Sequence, residues 1–308
     1  MVDGTYKGTK QVMPPNIEGV ALCFEGGGYR ASYTAGMANA ILDHELFFPF
    51  VCGISAGASH TVDYVSQDRQ RVRDSFIKLT TKRPEAGGPV SLLTGHGYFN
   101  ADYVYVGCTE DGTMPFDFAA FRANPAEARI SSFDAATGHT VTWGKADMRT
   151  PREMMMKVRA SSSLPVIMKP HTVIDGRLMY DGGLGAGAGI PVFMAEEAGY
   201  ERLVFVASRP AGYRKEPPTA GERRIYRYAS KGNDRVYQAL LTRGERYNEA
   251  LDHVEALERE GRAFVWRPEV MPVKTTTIDT PRLVESYRMG REQAERDIPR
   301  LLEWLARA

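Results

Sequence analysis

The stretch GVALCFEGGGYRA, residues 19–31, and its counterpart FVCGISAG, residues 50–57, decide how this chain is read. Residues 19–24 form a short apolar run that suits a buried strand. The run breaks into Glu25-Gly26-Gly27-Gly28, after which apolar residues recur at helical intervals over 32–46. A second apolar run, over 47–54, ends in Gly53-Ile54-Ser55-Ala56-Gly57 and leads into another helix. Strand, glycine-rich turn and helix, given twice in succession, predict a parallel α/β sheet.

Beyond this opening the pattern is less regular. Residues 83–125 are dense in Gly, Pro and aromatic side chains, which predicts loops and short elements in an insertion over 83–128. Residues 129–143 alternate around Thr137-Gly138 and predict a hairpin. Residues 171–180 predict another around Asp175-Gly176, a dipeptide that supplies the positive φ angles of a tight turn. Helices are predicted over 150–160 and 191–198, and a buried strand over 203–207. From Gly221 the chain is mostly charged helix, interrupted at 263–268 by AFVWRP, a candidate last strand. The organisation expected is an N-terminal extension (1–18), a catalytic core (19–210) and a mostly helical C-terminal part (211–308) packed on it.

Composition excludes several classes. A chain of 308 residues can bury a large core without staples. Lys and Arg number 39 against 38 Asp and Glu, so no net charge draws the chain to nucleic acid. Cys23, Cys52 and Cys108 are an odd set without zinc-site spacing. The first residues hold no signal-peptide core, and no apolar run approaches about 18 residues. A soluble, cytoplasmic protein without metal or cofactor is the expectation.

Two glycine-rich turns carry the chemistry. Gly53-Ile54-Ser55-Ala56-Gly57 is G-x-S-x-G at a strand-to-helix turn, where a serine sits on a sharp, strained bend with its hydroxyl presented. The following helix N-terminus favours a developing oxyanion. The plainer reading is a βα turn whose serine caps the helix. Gly26-Gly27-Gly28 can offer backbone N–H groups as a concave donor array. Gly26-x-Gly28-x-x-Ala31 also fits a dinucleotide fingerprint, but no acidic residue stands at the end of the next strand to hold a ribose.

A serine nucleophile needs a base. Of the histidines, His60 lies one turn beyond Ser55 on the same predicted helix, and His253 lies in a charged helical run. Neither suits the role. Asp181, directly after a strand with Gly182 and Gly183 clearing space, can accept a serine proton. Alone, Asp-Gly-Gly reads as a plain turn.

The ordered set GGGYR, GISAG, ASSSLP and DGG, spread between Gly19 and Ser208, resembles the patatin-like phospholipases. It is closest to a bacterial branch whose glycine loop follows a glutamate, as here Glu25. The resemblance implies a three-layer α/β/α sandwich with a mainly parallel central sheet. It also implies a serine acyl hydrolase acting on phospholipid or lysophospholipid esters through a Ser–Asp dyad. Ser55 would be the nucleophile, Asp181 its partner, and the backbone of Gly26, Gly27 and Gly28 the oxyanion hole. Arg30 matches the family's loop arginine, for a substrate anion or for holding the loop, and residues 160–165 match a segment beside the dyad. Ala31 stands where the family has Gly, and Gly189 precedes Pro191 by two where the family often has Asn before its Pro. Lipid is the partner implied, with peripheral membrane contact. The alternatives from other classes are a nucleotide-cofactor oxidoreductase and a non-catalytic lipid-binding protein.

Other features are read as structural. Met154, Met155 and Met156 read as helix core rather than as the lining of a lipid channel. The basic stretch 223–231 reads as a solvated face, with anionic lipid headgroups as the alternative partner.

Overall fold

Alternation along β1 (Val20–Phe24) sets the layers. Val20, Leu22 and Phe24 pack to one face of the sheet, and Ala21 and Cys23 to the other. All five residues are buried, as in a strand covered by helices on both sides. The computed structural model describes residues 11–78, 86–165, 168–169 and 171–307, so residues 1–10 of the expected extension and 83–85 of the expected insertion lie outside it.

From one edge the sheet runs β10 (Ala263–Trp266), β9 (Arg202–Val206), β1, β2 (Phe50–Ile54), β4 (Glu127–Asp134), β8 (Arg177–Asp181) and β7 (Thr172–Ile174). The pairings from β10 through β4 are parallel. β5 (Thr140–Trp143), β7 and β8 form the antiparallel end. β3 (Phe99–Asn100) and β6 (Met168–Lys169) make a separate parallel pair. On one face lie the helices Ala31–Asp43, Ala56–Val65, Pro151–Ser161 and Thr280–Leu305; on the other lie Val192–Glu197 and Arg243–Arg259. This is a three-layer α/β/α sandwich with a mainly parallel sheet.

Both predicted hairpins are present, the second turning through Asp175 at φ 50 and Gly176 at φ 74. The first helix stops at Asp43, short of the predicted 46. Glu45 adopts φ 55, and the Leu46 N–H donates back to the Ile41 carbonyl, a left-handed cap made without glycine. The pattern of 129–143 gave no sign that β4 also pairs in parallel with β2.

That double pairing positions the site. Along one side of β4, Ile54 at the end of β2 stands opposite Ser131, and Asp181 at the end of β8 stands opposite the next residue, Ser132. The two strands therefore meet end to end against a common neighbour.

The C-terminal helix is fixed by reciprocal glycines. A Cβ on Gly36 would lie 2.3 Å from the Arg291 nitrogen, and one on Gly290 would lie 2.1 Å from the Tyr33 carbonyl oxygen. The helices can only touch this closely without those carbons. Gly290→Ala should therefore cost at least about 1–3 kcal/mol through overpacking. Gly221→Ala, in an exposed helix with only Thr219 Oγ1 within 4 Å, should instead be neutral or stabilising by up to about 1 kcal/mol. Denaturant unfolding of both variants checks the opposite signs. Among the described residues, no helix is long and apolar enough to cross a membrane.

Candidate active site

Ser55 leaves β2 at φ 58 and ψ −123, a conformation that side chains rarely adopt. The surrounding backbone enforces it. A Cβ on Gly53 would sit 2.1 Å from the Gly57 carbonyl oxygen, and a Cβ on Gly57 2.1 Å from that of Phe24. Ser55 occupies the N-cap of the helix Ala56–Val65, but its side chain makes no capping bond. Its Oγ instead donates to Asp181 Oδ2 at 2.7 Å.

Asp181 is 1% exposed and fully engaged. Its other oxygen, Oδ1, accepts from the Gly183 N–H at 2.7 Å. Its own N–H donates to the Ser163 carbonyl, and the Ser55 N–H donates to Ser161 Oγ at 2.8 Å. The segment 160–165 thus braces both residues. Burial raises the Asp181 pKa, while Arg243, the Ser55 hydroxyl and the Gly183 N–H pull it back down. Gly183 makes room for that arginine, since a Cβ there would lie 2.8 Å from Arg243 Nη2.

In the glycine loop the three residues differ. The Gly26 N–H donates to the Gly189 carbonyl at 2.9 Å, so it is not a free donor, in contrast to the sequence expectation. What Gly26 supplies is space, as a Cβ would lie 3.2 Å from that of Ser55. The N–H groups of Gly27 and Gly28 have no protein acceptor among the described residues. Arg30 is buried and spent on holding the loop. It donates to the Ser208 carbonyl at 3.1 Å, to Ser208 Oγ at 3.2 Å and to Thr275 Oγ1. Of its two expected roles, these bonds fit loop stabilisation. Glu25 is anchored likewise, accepting from the Ser208 N–H and from the Tyr247 hydroxyl at 2.8 Å.

Ser55 borders two cavities of opposite character. One is largely apolar, walled by Phe76, Phe99, Val104, Met114, Met155 and Val158 among others. Its charged lining, Asp63 and Arg71, is an internal ion pair at 2.9 Å. The insertion roofs this cavity. Met154 and Met155 are buried in the core and Met156 packs against it, as expected, while Met155 also lines the cavity. The second cavity, on the glycine-loop side, is lined by Glu25, Arg30, Asp181, Arg209, Lys215 and Arg243.

Neither cavity is lined by a histidine. His60 is buried between Phe24 and Phe76, bonds Thr34 Oγ1, and burial pushes its pKa down to about 3. His253 is exposed and bonds Glu196. Among the described residues no cluster of His, Cys, Asp or Glu could hold a metal. Cys23 and Cys52 lie at matched register on β1 and β2, buried, with their sulfurs 3.5 Å apart and unlinked.

Sequence reasoning missed Arg209, Lys215, Arg243 and Tyr247. They come from a region where basic and acidic residues are evenly mixed, and nothing in that pattern separates a residue facing Ser55 from one facing solvent.

A family model described as a domain of unknown function (DUF6363) matches residues 233–306. The chain is 25% identical over 293 residues to "Uncharacterized protein YjjU" of Escherichia coli (strain K12), covering 88% of this chain and 75% of that protein. The crystal structure of VipD from Legionella pneumophila aligns at a TM-score of 0.48 and 12% identity, over 95% of this chain and 67% of that one. The model described as patatin-like phospholipase matches residues 22–194, more than half of the chain, and spans both Ser55 and Asp181. The chain belongs to the patatin-like phospholipase family.

Proposed function

We propose that this protein hydrolyses acyl esters of phospholipids or lysophospholipids, with Ser55 as nucleophile and Asp181 as general base. The observation that carries this reading is the 2.7 Å hydrogen bond from Ser55 Oγ to a buried carboxylate at a strained turn. As Oγ attacks the ester carbon, its proton passes to Asp181 Oδ2. The carbonyl oxygen becomes an oxyanion, with the free N–H groups of Gly27 and Gly28 and the N-terminus of the helix Ala56–Val65 as its donors. Collapse expels the alcohol, which takes the proton from Asp181, and leaves an acyl-serine. Water then attacks the acyl carbon, gives its proton to Asp181, and the acid leaves as Ser55 Oγ is reprotonated.

The apolar cavity suits the acyl chain. Exposed Val90, Leu92 and Leu93, on the same insertion that roofs this cavity, support contact with a lipid surface. A fluorophosphonate probe tests the reading. Peptide mapping should find the label on Ser55, and the protein should release fatty acid from a lysophospholipid. An unlabelled Ser55 in folded protein would refute it.

The pH profile follows from the same base. Asp181 must be ionised to take the proton, and its pKa lies above the usual aspartate value. The acid limb of kcat/KM should accordingly fall above that of an ordinary aspartate. Arg243 holds this pKa down, so Arg243→Gln should move the limb to still higher pH. A limb that stays in place would remove Asp181 as the titrating group.

A further inference from the structure

We propose that the cavity on the glycine-loop side of Ser55 is a leaving-group subsite for a phosphate-type anion, formed by Arg209, Lys215 and Arg243. This rests on the hydrolase reading, since it states which ester that site takes. The two cavities meet at Ser55, Gly28, Leu164 and Thr275. An acyl chain in the apolar cavity directs the alcohol side of the ester into the other one. A negative charge close to the ester oxygen then lies among Arg209, Arg243 and the Lys215 amine, which an anion there holds protonated.

None of the three forms an ion pair among the described residues, whereas the adjacent Arg214 is paired with Asp252 and Glu255 at 2.9 and 2.7 Å. The carboxylates lining the same cavity are already engaged. Glu25 accepts from Ser208 and Tyr247, and Asp181 accepts from Ser55 and Gly183. Arg243 Nε is buried without a hydrogen-bond partner. Lys215 sits with its Nζ 3.9 Å from the centroid of the Tyr247 ring, and burial and Arg243 push its pKa down to about 6. Four basic side chains, Arg30 included, line this cavity against two carboxylates, and that surplus of like charge is costly to hold together. A phosphate oxyanion relieves that cost through charge-assisted hydrogen bonds. All three residues lie beyond residue 194, so the match to the phospholipase model does not include them.

The test compares octanoyl glycerol 3-phosphate with octanoyl glycerol, both below their aggregation concentrations. The wild-type protein should favour the anionic ester in kcat/KM by at least about tenfold, the scale of charge-assisted contacts. Arg209→Gln and Lys215→Met should each cut that preference by about tenfold, as expected for the loss of one such contact. Thermal melting verifies that the variants are folded. Arg243 is left intact because it acts more strongly on Asp181, whereas the smaller effect of Lys215 on that base falls on both esters alike and cancels in their ratio. A wild-type ratio near one, or a ratio unchanged in both variants, overturns the proposal. So does inhibition of both esters by inorganic phosphate without any preference, which places a free anion in the cavity instead of the substrate's own. If neither ester is cleaved and Ser55 takes no label, the hydrolase reading has failed. Calorimetry with inorganic phosphate then decides the cavity separately. Binding that is lost in Arg209→Gln sustains an anion site, and no heat with wild-type protein removes it.

Discussion

Ser55→Ala is expected to lower kcat by at least about 10³-fold and to abolish fluorophosphonate labelling, because the proposed mechanism builds its acyl intermediate on this hydroxyl. The fold should survive. Alanine at φ 58 carries the same Cβ strain that serine already bears there, and the enforcing contacts of Gly53 and Gly57 are untouched. Asp181 keeps its bond from the Gly183 N–H but loses the hydroxyl, one of the groups that hold its pKa down. Its pKa should therefore rise further. Leaving one buried oxygen short of a partner costs about 1–3 kcal/mol, a loss a folded chain of this size can tolerate. Activity above a thousandth of wild type in pure, folded Ser55→Ala protein would show that another nucleophile acts.

Asp181→Asn is expected to reduce kcat by about 10²–10⁴-fold, the range of a positioned general base, and to suppress labelling as well. The substitution preserves size, and the amide oxygen can still accept from Gly183. Its nitrogen, however, donates where a proton must be received. The stability effect should run the other way. The folded pKa of Asp181 is raised, so its contribution to stability is fully present below the unfolded pKa and is lost as pH rises through the folded value. At neutral pH the buried charge is a net cost that asparagine removes. Asp181→Asn should then melt at the same or a higher temperature than wild type while being nearly inactive, the trade expected when a site is built at the expense of the fold. Near-wild-type esterase activity in this variant would sink the dyad, and a marked drop in melting temperature would contradict the cost assigned to the charge.

Local signals in the sequence marked Ser55, Asp181 and the glycine loop because their chemistry is written in adjacent residues. Glycines adjoin each of them, apolar runs announce the strands before the glycine loop and Ser55, and the Asp175-Gly176 turn announces the strand before Asp181. The hairpin turn at Asp175-Gly176 was legible for the same reason. What could not be read depends on contacts distant along the chain. The Gly26 N–H is consumed by Gly189, and Arg30 is held by Ser208 and Thr275, none of which has a sequence cue. Lys215 and Arg243 become site residues only because the helix Arg243–Arg259 packs across the sheet. The Gly36 and Gly290 contact is of the same kind, since each glycine looks unremarkable until the other is placed against it.

The shared strand β4 has a consequence for how reactivity arises. Ser55 and Asp181 are 126 positions apart, and their hydrogen bond depends on β8 joining the side of β4 that β2 has just vacated. Closing so long a loop is entropically slow, and non-local pairings are acquired late in folding. During refolding, helical signal should therefore return before the serine regains reactivity toward a phosphonate. A partly folded chain can hold the whole G-x-S-x-G turn and still be chemically silent. Under the proposed dyad, covalent labelling is a clock for the completed topology, and during biosynthesis the hydroxyl should stay unreactive until the strand ending in Asp181 has been made and seated.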